Sequence, residues 1–179
     1  FRVFTPADSI EVRAAMQEIY SGGGPVYLRL GHEPTTPIHR SPLATQNHLL
    51  HVREGSDIVL MAAGPAVETA LGAADIADQH GISVRVISCL QLAPMSTLEL
   101  MAVADELPIV TLEDHSVVGG LGTVVLETLS EASALRPLRR LGYRRDGLLM
   151  YGSQAFLRQS QGLTAEGTAA ALLAMVRAD

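Results

Sequence analysis

From residue 57 onward, segments of strand length alternate with amphipathic segments of helix length. The strand segments are DIVLMAAG, VRVISCL, PIVTLE and PLRRLGY, and helices are predicted between them over about 65–80, 96–106 and 120–133. The first three strand segments are apolar almost throughout, as expected for parallel strands that helices cover on both faces. The pattern predicts an α/β fold of three layers (α/β/α) with a mostly parallel sheet.

Residues near the ends of these helices support the assignment. Ser96 and Thr164 are suitable N-caps for the second and the last helix, because a hydroxyl can accept a hydrogen bond from a free backbone N–H. An earlier helix is predicted to start at Thr5, with Thr5 as its cap and Pro6 at the first helical position.

The first 50 residues do not follow this alternation. Their helix is followed by three glycines, the strand PVYLRL, and a polar, proline-containing stretch from Gly31 to Pro42 that is typical of a linker. We therefore predict a boundary near residue 45, with residues 1–44 as the tail of one domain plus a linker and 45–179 as a complete domain. Because the chain starts with Phe1 in the strand-like FRVF, we expect it to begin inside a larger protein.

Composition excludes several functional classes. The chain has 179 residues, and its formal net charge of -6 is spread along its length, so attraction to nucleic acid or to an anionic membrane surface is not expected. No signal peptide and no apolar segment of about 18 residues is present. These features favour a cytoplasmic protein with small-molecule or protein partners.

The segment VTLEDHSVVGGLG, residues 110–122, carries the densest set of candidate site residues. Glu113, Asp114 and His115 follow a predicted parallel strand, at the end where open α/β sheets bind ligands, and a histidine beside carboxylates can act as an acid or base. Alternatively, these residues cap the next helix or contact another subunit. Gly119, Gly120 and Gly122 could present backbone N–H groups to a phosphate, or could allow close packing of a helix on a strand.

Two further candidates, Arg29 and His32, lie in YLRLGHEP where the early strand meets the linker. A strand end at a domain junction is a common place for substrate contacts, although exposed linker residues have the same appearance. No zinc-ligand spacing, clustered carboxylates or nucleophile elbow is present, so we assign no metal ligand and no catalytic residue.

Taken together, three segments resemble the last third of the transketolase family, in particular its split-subunit bacterial members and the 1-deoxyxylulose-5-phosphate synthases. They are FRVFTPADSIEVRAAM with GGGPVYLRL, SDIVLMAAGPAVETALGAADIADQHGISVRVISCLQLAPMS, and PIVTLEDHSVVGGLGTVVLETLSE. The most specific matches are VTLEDHSVVGGLG, close to V-x-x-E-x-H-x-x-x-G-G-L-G in the family, and PVYLRLG, close to P-V-Y-x-R-L-G.

The resemblance implies an enzyme that uses thiamine diphosphate and Mg²⁺ to transfer a two-carbon ketol unit between sugars. It implies that residues 1–44 end the pyrimidine-binding domain and that residues 45–179 are the third domain, which mainly helps to form a homodimer. The family's Gly-Asp-Gly motif is absent, and its activating glutamate lies upstream of any segment matched here. We therefore expect this chain alone to bind no thiamine diphosphate and to depend on a diphosphate-binding domain or subunit.

The resemblance also implies roles for individual residues. Arg29 and His32 would contact the sugar or sugar phosphate, with His32 where the family commonly has a second arginine. The residues Glu113, Asp114, His115, Gly119, Gly120 and Gly122 would form an interface and packing motif. A β-subunit of a 2-oxo acid dehydrogenase and a non-catalytic dimerisation module remain alternative functions.

Overall fold

The computed structural model describes residues 1–32, 35–43, 47–144 and 151–177. The strands are β1 (Arg2–Phe4), β2 (Val26–Leu28), β3 (Leu49–Arg53), β4 (Ile58–Ala63), β5 (Val84–Cys89), β6 (Gln91–Ala93), β7 (Ile109–Ser116) and β8 (Leu138–Tyr143). The helices are α1 (Ser9–Ser21), α2 (Ala66–Gln79), α3 (Thr97–Ala104), α4 (Leu121–Glu131), α5 (Gln154–Ser160) and α6 (Ala165–Val176).

The larger sheet has five strands in the order β3-β5-β4-β7-β8. Its last four strands are parallel, as the alternating sequence pattern predicts. The edge strand β3 runs antiparallel to β5 and was not predicted from the sequence. The prediction of a three-layer fold with a mostly parallel sheet is confirmed.

Helices cover both faces of this sheet. On β4, Ile58, Leu60 and Ala62 pack into the same cluster as residues of α2 and α6. The intervening residues Val59 and Met61 pack on the opposite face, in the cluster that contains residues of α3 and α4. Neither face of the strand meets water, which explains why its sequence is apolar without alternation.

A smaller sheet of three strands, in the order β2-β1-β6, joins the start of the chain to the larger unit. Strand β6, which was not predicted, follows β5 closely and runs antiparallel to β1. The apolar core under this sheet combines Phe4 from β1 with Leu50 from β3 and Leu90 from the turn before β6. The first residues therefore pack directly against the remainder of the chain.

The prediction that Thr5 caps the first helix is wrong. Helix α1 begins at Ser9, and the cap is Asp8, whose carboxylate accepts hydrogen bonds from the backbone N–H groups of Ile10 and Glu11. The Thr5 hydroxyl instead donates to the carbonyl of Cys89, and the Thr5 backbone N–H donates to that of Leu90. Thr5 thus extends the contact with β5 and β6. By contrast, Ser96 and Thr164 cap α3 and α6 as predicted.

The segment 35–43 has no regular secondary structure and is held against α1 by two acidic residues. The other carboxylate oxygen of Asp8 accepts hydrogen bonds from the backbone N–H groups of Ile38 and His39. Glu11 is fully buried, and its Oε1 lies 2.8 Å from Nε2 of His39. The expected boundary near residue 45 lies outside the described residues.

The turn between β7 and α4 is built around Glu113, which is 2% exposed. Its carboxylate accepts hydrogen bonds from the backbone N–H groups of Leu121, at 2.7 Å, and Gly122, at 2.9 Å. Gly119 has a φ of 78°, in the region that favours glycine. A Cβ at Gly120 would lie 1.8 Å from Glu113 Oε2, so only glycine lets the helix start this close to the carboxylate.

We expect Gly120→Ala to reduce the free energy of unfolding by about 1 to 3 kcal/mol, because the added methyl group must displace the buried carboxylate from α4. Gly23→Ala is the matched control, since a Cβ there meets nothing within 4 Å. The control should change stability by less than about 0.5 kcal/mol. Urea unfolding of the two variants measures the difference, and equal stabilities would contradict this account of the turn.

We also expect His39 to make stability depend on pH. Its hydrogen bond with Glu11 raises the pKa of His39 above its ordinary value of 6.5, although burial acts in the opposite direction. The stabilisation is therefore complete below the unfolded-state pKa and is lost as the pH rises through the higher folded-state pKa.

Unfolding of the wild type and His39→Gln between about pH 5.5 and pH 9 tests this dependence. The stability difference between the two proteins should be largest at the acidic end of the range and should shrink towards the alkaline end. His80→Gln, which changes an exposed histidine at the end of α2, should follow the wild type. A difference that does not vary with pH would contradict the assignment.

Candidate functional site

A cavity of about 400 Å³ lies between the small sheet and the carboxyl ends of β4 and β7. Its lining comprises Val3, Thr5, Tyr27, Arg29, Leu30, Gly31, His32, Ala63, Gly64, Pro65, Leu92, Glu113, Asp114, His115, Gly119, Gly120 and Gln154. The carboxyl ends of parallel strands are the usual ligand-binding edge of an open α/β sheet. A cavity of this volume is in the range that holds a small ligand.

Tertiary structure brings most of the predicted site residues to this cavity. Arg29 and His32 reach it from the end of β2, and Glu113, Asp114 and His115 reach it from the end of β7. Gly119 and Gly120 also line it. Gly122 does not: a Cβ there would lie 2.7 Å from side-chain atoms of Thr111 and Arg140, so it packs against the sheet.

Glu113 occupies the position at which an external anion would otherwise meet the start of α4. Its two oxygens take the first free N–H groups of the helix, which are the groups that a bound phosphate would use. Burial raises the pKa of Glu113, whereas the N–H donors and the nearby His115 and Arg29 act in the opposite direction. The glycine-rich turn therefore binds an internal carboxylate, and these N–H groups are not available to a ligand.

Asp114 is bonded to three side chains that follow it in the sequence. Its Oδ1 accepts a hydrogen bond from the Tyr143 hydroxyl at 2.7 Å. Its Oδ2 accepts hydrogen bonds from Arg158 Nη2 at 2.8 Å and from Gln154 Nε2. Although burial opposes its charge, these donors hold the pKa of Asp114 below its ordinary value. The aspartate thus fixes α5 beside the cavity and is not available as a general base.

Arg29 also contacts Asp114, but through the main chain of that residue. Its Nη2 donates a hydrogen bond to the main-chain carbonyl of Asp114. A carbonyl carries no net charge, and Arg29 forms no ion pair within the part of the chain that the structure describes. The guanidinium of Arg29 is nevertheless close enough to Glu113 to lower the pKa of that buried carboxyl.

The two histidines of the cavity are both exposed to solvent. His32 is exposed, directly after Gly31, whose added Cβ would lie 2.5 Å from Pro65 Cγ at the start of α2. The side chain of His115 is 47% exposed, and its Nδ1 lies 3.1 Å from the carbonyl oxygen of Ser116. His115 Nδ1 is 3.9 Å from Glu113 Oε2, too far for a hydrogen bond. No His–carboxylate dyad suited to acid–base catalysis is formed here.

The residues of this cavity do not fit a site for Mg²⁺ or for the thiamine diphosphate that the resemblance implies. Within 1–32, 35–43, 47–144 and 151–177, no group of three or more His, Cys, Asp and Glu side chains could hold a metal ion. The first N–H groups of α4, which could bind a diphosphate, are already hydrogen-bonded to Glu113.

No helix among the described residues is long and apolar enough to cross a membrane.

Sequence reasoning missed the contribution of the C-terminal segment to this site. Gln154 lines the cavity, and Tyr143 and Arg158 hold Asp114, yet none of them belongs to a recognisable local motif. The local signals for that short helix are its N-cap Ser153 and the basic Arg158 in its last turn. The contacts with Asp114 depend on the path of the chain after β7, which brings residues 143, 154 and 158 back to the end of that strand. Local sequence patterns do not reveal this path.

Comparison with known proteins identifies relatives that match nearly the whole chain. It is 35% identical over 166 residues to a 6-deoxy-6-sulfo-D-fructose transketolase subunit of Clostridium sp. (strain MSTE9), covering 92% of this chain and 51% of that protein. It is 34% identical over 187 residues to the 1-deoxy-D-xylulose-5-phosphate synthase of Thermomicrobium roseum, covering 97% of this chain and 28% of that enzyme. The chain thus spans about half the length of the first relative and less than a third of the second.

Comparison with solved structures leads to the same family. The structure matches that of a split gene transketolase in the form of an inactive tetramer of its beta subunit (beta4). The TM-score is 0.89, and the identity is 32% over 98% of this chain and 58% of that one. Residues 47–167 match the family described as transketolase, C-terminal domain. The resemblance noted in the sequence is confirmed, and the chain belongs to the transketolase C-terminal domain family.

Proposed function

We propose that this chain is the C-terminal part of a transketolase-like enzyme that transfers a two-carbon ketol unit from a ketose to an aldehyde. The observation that carries the proposal is the match of 92% of this chain to half of a protein named as a transketolase subunit. Thiamine diphosphate with Mg²⁺ would supply the carbon–carbon bond cleavage in the complete enzyme. The residues of this chain would bind and orient the substrate and assemble the subunits.

We propose that the chain contains parts of two domains. Residues 1–44 would be the tail of the pyrimidine-binding domain with its linker, and residues 45–179 would be the third domain. A family match that starts at residue 47 supports this division. A diphosphate-binding domain or subunit would be the partner, and the assembly would contain a homodimer of this chain. A cytoplasmic location stays a prediction from the sequence.

The interface role of the Glu113–Gly122 motif is also part of the proposal. Glu113, Gly120 and Gly122 are engaged in contacts within the chain, so their contribution to a dimer would be to hold the turn in shape. Asp114 contributes in the same way through α5. His115 and Gly119, on the exposed side of the turn, would be the residues nearest to a second subunit.

For substrate binding, we propose that Arg29 and His32 contact the end of the sugar that carries an anionic group. The charge of Arg29 and the position of both residues on one cavity support this role. The Clostridium relative is named for a substrate with a sulfo group, and the Thermomicrobium relative for a product with a phosphate. Both groups are tetrahedral oxyanions, for which a guanidinium offers paired N–H donors.

Purification of the natural protein together with its partner tests the proposed function. We expect a complex with a subunit or domain that carries a Gly-Asp-Gly motif, and ketol transfer by that complex when thiamine diphosphate and Mg²⁺ are added. The 179-residue chain alone should show no transfer and no saturable heat with the cofactor in calorimetry.

Two other outcomes would contradict the proposal in defined ways. Co-purification with a lipoyl acyltransferase would identify a β-subunit of a 2-oxo acid dehydrogenase. A stable dimer that gains no activity with any encoded cofactor-binding subunit would identify a non-catalytic dimerisation module.

A substitution at His32 tests the substrate contact. If the native substrate is an unphosphorylated ketose, His32→Arg should raise kcat/KM for phosphorylated ketoses by about ten- to a hundredfold, because a charge-assisted bidentate contact replaces the single contact of an imidazole nitrogen. The native substrate should gain little or react more slowly. His80→Arg is the control, since it adds the same charge away from the cavity. An unchanged kcat/KM for phosphorylated ketoses in His32→Arg would return His32 to the role of an exposed linker residue.

A further inference from the structure

We infer that Asp114 is a positioning residue for Arg29: its main-chain carbonyl, directed by a bulge in β7, sets the orientation of the guanidinium at the cavity. The contact joins a residue of the proposed third domain to a residue of the proposed pyrimidine-domain tail. The orientation is a property of this chain, whereas its consequence for catalysis rests on the proposed function of Arg29 as a substrate contact.

Strand β7 bulges at residues 113–115. Its pairing with β8 is regular before these residues and resumes after them, so that three residues of β7 stand opposite one residue of β8, Gly142. Extra residues in one strand interrupt the ladder and redirect the groups of that strand, and such bulges are frequent next to functional sites. The carbonyl of Asp114 belongs to this bulge and accepts its hydrogen bond from Arg29.

The peptide group that carries this carbonyl is held at both ends. On the Asp114 side, the carboxylate accepts hydrogen bonds from the Tyr143 hydroxyl at 2.7 Å and from Arg158 Nη2 at 2.8 Å. On the His115 side, the main chain lies against Gly142, where an added Cβ would be 2.7 Å from the His115 carbonyl oxygen. The peptide plane cannot turn without disturbing one of these contacts, so the direction of the Asp114 carbonyl is fixed.

The carbonyl, and not the nearest negative charge, gives the guanidinium its direction. Glu113 attracts Arg29, which is close enough to lower the pKa of that carboxyl, but attraction between charges has little directional requirement. A hydrogen bond weakens steeply when it is bent. Because the five N–H donors of a guanidinium lie in one rigid plane, the bond from Nη2 to Asp114 also restricts the directions of the other donors.

NMR of the 179-residue chain, without cofactor or substrate, tests the positioning. The measured quantity is the rate at which the guanidinium of Arg29 rotates about its Nε–Cζ bond, and Arg29→Lys identifies the signal by its loss. In the wild type the rotation should be slower than that of the exposed Arg13. Asp114→Asn replaces one acceptor oxygen by an NH2 group and loses the ion pair with Arg158, so the peptide group is less restrained. We expect Arg29 to rotate about three- to tenfold faster in this variant.

Two further variants supply a control and an alternative. Asp75→Asn also removes a carboxylate that is paired with an arginine, Arg53, but away from the cavity, and Arg29 should rotate as in the wild type. Tyr143→Phe removes one donor to Asp114 and keeps the ring, so it should accelerate the rotation even if Asp114→Asn does not fold. The wild-type rate in Asp114→Asn, or in Tyr143→Phe should the first variant not fold, would overturn the inference. Rotation in the wild type as fast as that of an exposed arginine would overturn it too.

A double-mutant cycle in the assembled enzyme tests the consequence for the substrate. The probes are D-fructose 6-phosphate and 6-deoxy-6-sulfo-D-fructose, the sugar in the name of the Clostridium relative. Asp114→Asn should raise KM for the probe that is turned over by about three- to tenfold with little change in kcat, because a misdirected guanidinium loses a contact that binds ground state and transition state alike. In the Arg29→Gln background, the same substitution should leave KM unchanged.

A purely structural role of Asp114 would give a different pattern. Asp114→Asn would then change KM by the same factor with and without Arg29, and that outcome would overturn the inference. Ketol transfer combined with an unchanged rotation of Arg29 in Asp114→Asn would refute the inference and leave the proposed function standing. Absence of ketol transfer combined with the expected change in rotation would contradict the proposed function and support the positioning of Arg29.

Discussion

The carboxylate of Glu113 is buried at the start of α4, where it accepts hydrogen bonds from the N–H groups of Leu121 and Gly122. A buried carboxylate is costly unless its oxygens find donors, and the free N–H groups of a helix end are equally costly without acceptors. The carboxylate of Glu113 and these N–H groups therefore satisfy each other's hydrogen-bonding requirement. The close approach requires glycine at position 120, and Asp114 and His115, which follow Glu113, line the cavity. The shape of the site depends on this one contact.

A second constraint joins the beginning of the chain to the larger sheet. Strand β1 pairs with β6, Thr5 donates to the backbone of β5, and Arg29 donates to the backbone at the end of β7. These contacts place Arg29, which follows strand β2 of the smaller sheet, beside the carboxyl end of β7 in the larger sheet. The cavity exists because two sheets meet there, and neither sheet alone would enclose it. The lining of the cavity therefore combines residues from both sheets.

The main sheet was predictable because each of its inner strands carries its own signal. Strands β4, β5 and β7 are apolar on both faces, and their helices carry local caps such as Ser96 and Thr164. The edge strand β3 and the short strand β6 were not predicted, since few residues of either are fully buried and their pairing partners are distant in sequence. Thr5 was misassigned for a related reason, because its hydroxyl serves a long-range contact with Cys89.

For the site, the sequence by itself determined which ionisable side chains and glycines are available: an arginine at position 29, histidines at 32 and 115, and a glycine-rich turn after two carboxylates. Family resemblance added an expected order of domains. Only the tertiary structure decided what each group is free to do. It hydrogen-bonds Glu113 to α4, hydrogen-bonds Asp114 to Tyr143, Gln154 and Arg158, and brings Arg29 and His115 to one cavity. Hydrogen-bond partners that are 29 to 44 residues apart in the chain cannot be read from local sequence, because only packing brings them within reach.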